Sequence, residues 1–538
     1  MKTRSLAPDK VLEPFLRQYG SAIIGHLSGY DRLRLRGTWR SLYHPHVMEC
    51  YLSKCHVRLL DFKDFVHRVS QRVYATAKAV AAKLGRTYRF LPSNQEDKEA
   101  LARQTAATQG ITEGLIVLLG SVEPCRSFGV HGGYPDHLLH LTLEPRQCLH
   151  LYFYCFHPQF GLMHLRLQTW FPFQIDICLN GREWLCHQLD AQGLAYRRQE
   201  NCLVQVQDWA RAQALLDPQV PWDWSPTLAA LLDQFHPLWK QLCRPLNLSY
   251  DWSVSESEYA TDRVFREART LARLYPQWIH PAITALGCTD VLRYLGRRVS
   301  SQSGQVPAHF EGEILSDLKA RQEGVRTKHS VNGNSVKRYD KAYTPVGNVL
   351  RVEATTNRPR EFQTFRRAEG QPKGPKKWRV LRRSVADLPR RAAISLAING
   401  RYLTALASTT GTTPLAESAA TVCRPVCGQG RRYRALNPWS PEDAALLEAV
   451  SDADFAIVGL RNRDLQARLF KQQKVSPFQR RRRANRITRR LALLRAHGLV
   501  RKVSGTHRYL LTLKDRTLIT ALLAARQANI NQLNKIAA

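Results

Sequence analysis

The spacing of apolar residues changes along this chain, and each change marks an element. Apolar positions recur at helical intervals through Val11–Leu16 and again from Phe65 to Val80, so residues 9–80 read as mostly helical. Within that stretch Gly29–Arg40 departs from the helical period: arginines at 32, 34 and 36 alternate with Leu33 and Leu35. This is the pattern of a strand with one cationic face, suited either to phosphate or to a solvated sheet edge.

Beyond residue 110 the period shortens to two. The apolar run Gly110–Leu119 reads as a buried strand, Leu149–Tyr154 and Met163–Trp170 as neighbouring strands, and Phe173–Leu179 as a third; Asn180-Gly181-Arg182-Glu183 then opens a helix. Together they predict an antiparallel sheet packed on one face by helices. His164, Arg166 and Gln168 share a face that would suit a nucleic-acid strand, or simply water. Residues 205–245 are helical and rich in Leu and Trp, and Ser249–Phe265 follows with the carboxylates Glu256, Glu258 and Asp262. These acids either pair with nearby arginines or supply a divalent metal with oxygen ligands.

The turn signal Asn332-Gly333-Asn334 precedes a second alternating segment, Ser335–Lys341, which a turn containing Pro345 and Gly347 joins to Val349–Glu353. On the first strand Lys337, Tyr339 and Lys341 share one face, with Val336, Arg338 and Asp340 on the other. On the second, Arg351 and Glu353 share a face, so the carboxylate can sit beside the lysine and the phenol, and Arg338 and Arg351 are candidate contacts to nucleic acid. Residues 357–383 carry Arg358, Arg360, Lys376, Lys377 and Arg379 around Trp378 without apolar periodicity, and read as a phosphate-binding loop or linker with an aromatic available for stacking. Helical spacing returns from Val385 to about Leu406, and Ser408–Pro414 is a flexible linker.

The last module is the most regular. Ser440-Pro441-Glu442-Asp443 is a helix start, Asn462–Leu469 a short helix, and Arg482–Ala496 a longer one with Ile487, Leu491 and Leu494 at core spacing. Gly498 ends it; strands at 499–503 and 508–512 and a final helix from about Asp515 to Asn529 complete the module. The expected organisation is α+β and multidomain: a helical N-terminal region (1–82), a central α/β core (110–383), a helical extension (384–407), a linker (408–437) and a C-terminal domain (438–530).

Charge narrows the partner. The 538 residues carry 80 Lys plus Arg against 44 Asp plus Glu, a formal net charge of +36, which favours a polyanion, and the arginines suit bidentate phosphate contacts. No apolar run is long enough to span a bilayer and the N-terminus lacks the apolar stretch of a signal peptide, so nucleic acid is preferred to membrane. The twelve cysteines are scattered as in a reducing cytoplasm, and the Cys423/Cys427 spacing is a poor zinc pattern.

Residues 438–530 resemble the winged-helix domains of bacterial transcription regulators. The resemblance implies a helix in the DNA major groove, presenting Arg482, Arg483, Asn485, Arg486, Arg489 and Arg490, with Arg501, Lys502 and Arg508 of the wing on phosphates. Residues 461–516 hold 18 Lys plus Arg and only two acids, Asp464 and Asp515. The run Tyr339-Asp340-Lys341 followed by Leu350-Arg351-Val352-Glu353 is similar to paired strands of the catalytic domain of rolling-circle replication initiators. That similarity implies an HUH-like sheet, Mg²⁺ or Mn²⁺ held by Asp262 and Glu353, and Tyr339 or Tyr343 as nucleophile on a DNA phosphate, with Lys337 and Lys341 stabilising the charge. The histidine pair of that family has no counterpart here: His44-Pro45-His46 is centred on proline, and His137 and His140 are one residue too far apart. The chain as a whole resembles multicopy bacterial proteins of the mobile-element type. The expectation is a cytoplasmic DNA-binding protein with a core able to nick single strands; the alternative is a non-enzymatic regulator or the RNA-binding protein of a ribonucleoprotein.

Overall fold

The computed structural model describes residues 15–529, apart from 94, 133–137, 285–290, 293, 297–312, 322–323, 341–347, 369–370, 372, 410–414, 429, 453–454, 456–458, 471–475, 504–505 and 512. The chain forms two compact units, each discontinuous in sequence. A core unit combines Gly25–Val264 with Thr355–Ser395, and a second unit combines Met1–Ile24, Phe265–Ala354 and Leu396–Ala538.

The core unit is built on a large mixed sheet. Its strands are β1 (Ile23–Thr38), β2 (Tyr88–Leu91), β3 (Gly114–Gly132), β4 (Leu139–His157), β5 (Gly161–Gln168), β6 (Ile175–Asn180), a separate hairpin of β7 (Tyr196–Gln199) and β8 (Cys202–Val206), and β9 (Asp251–Phe265). Within the unit they run β9-β1-β6-β5-β4-β3-β2. Two expectations change. The N-terminal region is not wholly helical, because the alternation around the arginines extends over a 16-residue strand whose Leu33 and Leu35 are buried. Nor is the sheet purely antiparallel: β2 pairs parallel to β3 at its edge. The connection is the helix Lys98–Gln109, as a parallel pairing needs a crossover. Asp97 caps that helix by accepting from the amides of Glu99 and Ala100 at 3.1 and 3.0 Å, and Gly110 ends it at φ 64°.

Helices Phe62–Lys83, Gly181–Ala191, Trp209–Leu216 and Trp224–Phe235 bring apolar stripes to this unit. Asn180 caps the second of these through its side-chain oxygen, at the position the sequence indicates. Leu27, Leu185, Leu189, Leu203 and Leu216 form one core cluster; Leu119, Tyr152, Tyr154 and Leu162 belong to another under the Lys98–Gln109 helix. Residues 357–383, expected as a loop or linker, contain a short turn at Pro359–Glu361 and a hairpin.

In the second unit β10 (Ile314–Arg321), β11 (Gly324–Val331), β12 (Asn334–Asp340) and β13 (Val349–Thr356) follow one another as neighbouring strands. Val331, Val336, Val349, Leu350 and Val352 are buried, and the rings of Tyr294, His329 and Tyr402 pack together at centroid separations of 5.5–6.5 Å. The hairpin of the core unit is β14 (Gln363–Arg366) with β15 (Lys377–Val380). Two small hairpins close the list of strands, β16 (Val426–Gly428) with β17 (Arg431–Tyr433) and β18 (Val500–Lys502) with β19 (Tyr509–Leu511).

The C-terminal residues form helices Pro441–Ser451, Asn462–Leu469, Pro477–Ala496 and Leu513–Gln527 around a shared core that includes Leu446, Leu465, Ile487, Leu491, Leu494 and Ile519. Leu460 exchanges two 2.8 Å backbone hydrogen bonds with Tyr509, adding a third extended segment beside β19. The helix expected from Arg482 begins earlier because Ser476 caps it, accepting from the Gln479 amide at 3.3 Å, with Pro477 in its first turn. Gly498 at φ 75° ends it as expected. Among the described residues no helix is long and apolar enough to cross a membrane, and the described cysteines are free thiols.

Candidate nucleic-acid interface

The polar side of the core sheet begins with a row of charges running across adjacent strands. Register places Arg36 of β1 opposite Asp176 of β6, Asp176 opposite Arg166 of β5, and Arg166 opposite Tyr152 of β4. Asp176 accepts from Arg36 Nε at 2.8 Å and from Arg166 Nη1 at 3.2 Å; Arg166 Nη2 continues to Glu123 at 2.9 Å, where the Tyr152 hydroxyl also donates at 2.7 Å. Burial alone would raise the Glu123 carboxyl, but the tyrosine and Arg166 together hold it below its ordinary value. The row is therefore balanced, a rigid floor with its charges already matched.

Above this floor cations predominate. A cleft of about 1330 Å³ is lined by ten arginines, Arg36, Arg40, Arg126, Arg166, Arg358, Arg360, Arg366, Arg379, Arg382 and Arg383, against one carboxylate, Asp251. Its volume exceeds the roughly 300–1,000 Å³ of a small-molecule site, and its lining is more polar than the predominantly apolar walls of such a site. Donors outnumber acceptors: Nε of Arg166, Arg366 and Arg379 is buried with no acceptor among the described residues. Leaving a buried donor unmet costs about 1–3 kcal/mol, which an anionic oxygen would recover.

The upper wall is the segment read from sequence as a basic loop. β14 and β15 pair with Phe365 opposite Trp378, Thr364 opposite Arg379 and Arg366 opposite Lys377, so Arg366, Lys377 and Arg379 share one face. The strap Leu381–Ser384 is held from three sides. Leu381 donates to Phe362 O, Arg383 Nη2 to Asn357 O at 3.1 Å, and Val254 of β9 to Arg383 O at 2.6 Å. Behind it the buried Arg391 donates to Thr356 O at 2.9 Å and to Arg382 O at 3.3 Å, and burial lowers its guanidinium pKa to about 10. These bonds give Arg382 and Arg383 a fixed backbone from which to project.

Of the residues singled out from sequence, Arg358, Arg360 and Arg379 line this cleft, and Lys376 and Lys377 are exposed near it. Arg166 and Gln168 line it too, whereas His164 is half-buried between the rings of Tyr152 and Tyr154. Sequence reading missed Arg126 as a cleft residue, whereas Arg366, Arg382 and Arg383 fall within the basic segment 357–383 that it marked only as a whole. The two short alternations Gln363–Arg366 and Lys377–Val380, separated by Pro- and Gly-containing residues, are the hairpin signal that was available.

The proposed catalytic hairpin is organised otherwise. Lys337 Nζ pairs with Glu353 at 3.2 Å, so its charge is used within β12 and β13. The backbone of Arg338 and Tyr339 lies in β12, but their side chains, like Lys341 and Tyr343, lie outside the described residues. Arg351 is only 2 % exposed and offers no surface to a phosphate, a correction to its sequence reading: β13 is buried along its whole length, not on alternate faces. Asp262, expected to share a metal with Glu353, is the counter-ion of Arg182 at 2.8 Å, both groups fully buried in the core unit. This is the ion-pair arrangement that the sequence allowed as its alternative.

On the C-terminal helix Pro477–Ala496, Phe478, Arg482, Asn485 and Arg489 form one exposed stripe opposite the buried Ile487, Leu491 and Leu494. The flanking arginines are already engaged. Arg486 and Arg490 each reach Glu442 at 3.2 Å, and Arg483 lies 5.0 Å over the Phe470 ring. Arg501 and Lys502 are exposed on β18, and Arg508 is half-buried. No protein-family model, no curated protein and no solved structure matches this chain.

Two buried histidines give the core unit a defined acid response. His150, which lines the cleft and is 2 % exposed, is pushed down to about 4 by burial and then by Arg166; His236, equally buried, is pushed down to about 3 by burial. An unfolded histidine titrates near 6.5. Both folded values are depressed, so their contribution to stability is fully present above about pH 6.5 and is lost as pH falls toward the folded values. At pH 5 the loss is about 2 kcal/mol per histidine. Thermal melts should show Tm falling between pH 7 and 5; a Tm that stays level over that range would contradict the assignment.

Proposed function

We propose that the chain binds nucleic acid, with the arginine cleft of the core unit taking the phosphate backbone. The observation that carries this reading is the set of ten arginines facing one carboxylate in a cleft too large and too polar for a small molecule. Arg36 and Arg166 are steered by Asp176, while Arg40, Arg126 and Arg360 have no acidic partner among the described residues. Binding should therefore release counter-ions from several phosphates at once. Fluorescence anisotropy with a labelled oligonucleotide should show affinity falling roughly 10³-fold between 50 and 200 mM salt. Salt-independent affinity, or no binding at 50 mM, would overturn the proposal.

We further propose that residues 438–530 work as a winged helix on duplex DNA. The order helix, extended segment, helix, helix and two-stranded hairpin supports this, as does the exposed stripe on the third helix. The stripe assigns unequal roles to the arginines. Arg482→Ala and Arg489→Ala should each weaken duplex binding by about 1–3 kcal/mol. Arg486→Ala and Arg490→Ala should weaken it less, because both are tethered to Glu442. Gel-shift titration of the four single variants checks the order, and equal losses in all four would remove the stripe as the reading face. A nicking activity is not part of the proposal, since Asp262 and Lys337 both have buried or half-buried partners that the expected chemistry would have to displace.

A further inference from the structure

The hairpin that walls the arginine cleft carries a second surface that phosphate binding does not use. Phe365 and Trp378 sit directly opposite each other on β14 and β15, with ring centroids 5.5 Å apart, and are 49 % and 57 % exposed. Large aromatic rings this exposed are costly to leave in water, and a cross-strand pair would ordinarily be turned to a core. Here the core-facing option is taken by the small Thr364, 8 % exposed, while the rings remain outside. The Arg390 guanidinium lies 5.6 Å over the Trp378 ring and donates through Nε to Gln363 O at 2.9 Å, bracing the indole from one side. Val380 shares the aromatic face, is 50 % exposed and also lines the cleft, so the two surfaces meet along β15.

We infer that this pair is a stacking platform for unpaired bases, and that the preferred ligand of the core unit is single-stranded rather than duplex nucleic acid. The inference rests on the phosphate-binding reading of the cleft and names its substrate class. Charge selects the occupant: exposed rings braced by Arg390, on a hairpin whose other face carries Lys377 and Arg379, would repel a basic peptide and offer a membrane no apolar area beyond the rings and Val380. A strand whose phosphates follow the arginines presents its bases to whatever lies beside them, and every base has a face that stacks on an aromatic ring or a guanidinium. In a duplex those faces are already stacked and paired, so the platform gains nothing from it.

The test separates bases from phosphates. Anisotropy titrations compare an oligo-dT with an abasic oligomer of the same length, which keeps the phosphates and lacks the bases. The intact protein should bind oligo-dT about 10-fold or more tightly than the abasic strand, in the range of stacking on one or two aromatics. The Phe365→Ala/Trp378→Ala protein should bind both with the affinity of the abasic strand, and Trp378→Phe should retain most of the preference. Since both rings are exposed, an unchanged Tm accompanies these changes. Equal affinity of the intact protein for the two strands, or a preference that survives the double substitution, overturns the platform while leaving the cleft reading in place. Failure of both strands to bind at 50 mM salt overturns the two together.

Discussion

Replacing Arg126, Arg360 and Arg379 together with alanine is expected to weaken binding of a single-stranded oligonucleotide by roughly 100-fold or more, and to lower the slope of log affinity against log salt by about two. The three lie on different parts of the cleft, on β3, in the Pro359–Glu361 turn and on β15, so a strand running through it would meet all of them. None is buried, and of the three only Arg126 donates an internal side-chain hydrogen bond, to Leu143 O at 3.3 Å, so the fold should survive their loss. A protein with a net charge of +36 attracts polyanions over its whole surface, which makes the control decisive. Arg68, Arg72 and Arg89 are exposed arginines outside the cleft, and changing those three to alanine removes the same charge. The control variant should lose only a few-fold. Equal losses in the two triple variants would mean that the cleft has no special role and that binding is diffuse.

The second large effect concerns stability. Asp262→Asn should destabilise the protein by about 3–5 kcal/mol, read as a drop in the denaturant midpoint without a change in slope, because it leaves the Arg182 guanidinium buried without its counter-charge. Removing both charges removes the mismatch. Asp262→Asn combined with Arg182→Met should recover a large part of the loss, a coupling that a double-mutant cycle measures directly. A metal-ligand role predicts otherwise: Asp262→Asn would then cost little stability in metal-free buffer, and the second substitution would not rescue it. The arrangement also explains why an acid at this position attracts a functional reading. A carboxylate amid a β-strand of buried residues must have a partner, and sequence does not say whether the partner is a metal or an arginine 80 positions away.

The same limit appears in the hairpin of β12 and β13. Alternation placed Lys337 and Glu353 on facing surfaces, and they do meet. Alternation also implied one exposed face for β13, but a strand covered on both sides has none, and Arg351 is buried with the rest. The C-terminal helix shows the complementary case. Its buried stripe follows from the spacing of Ile487, Leu491 and Leu494, yet which arginines stay available depends on Glu442, contributed by another helix.

What the sequence by itself determined was local. The helix starts at Asn180 and Ser440, the end at Gly498, the strand alternation around Arg166 and the excess of arginine are legible because each depends on residues a few positions apart or on composition alone. What only the tertiary structure decided was which charges cancel. The cleft gathers residues from Arg36 to Ser384, and its character comes from Asp176 and Glu123 neutralising its floor while its walls carry an excess of arginine. Strand order sets that balance. The pairing of β1 with β6 brings Arg36 to Asp176, 140 residues away, and no periodicity within one strand records which strand will lie beside it.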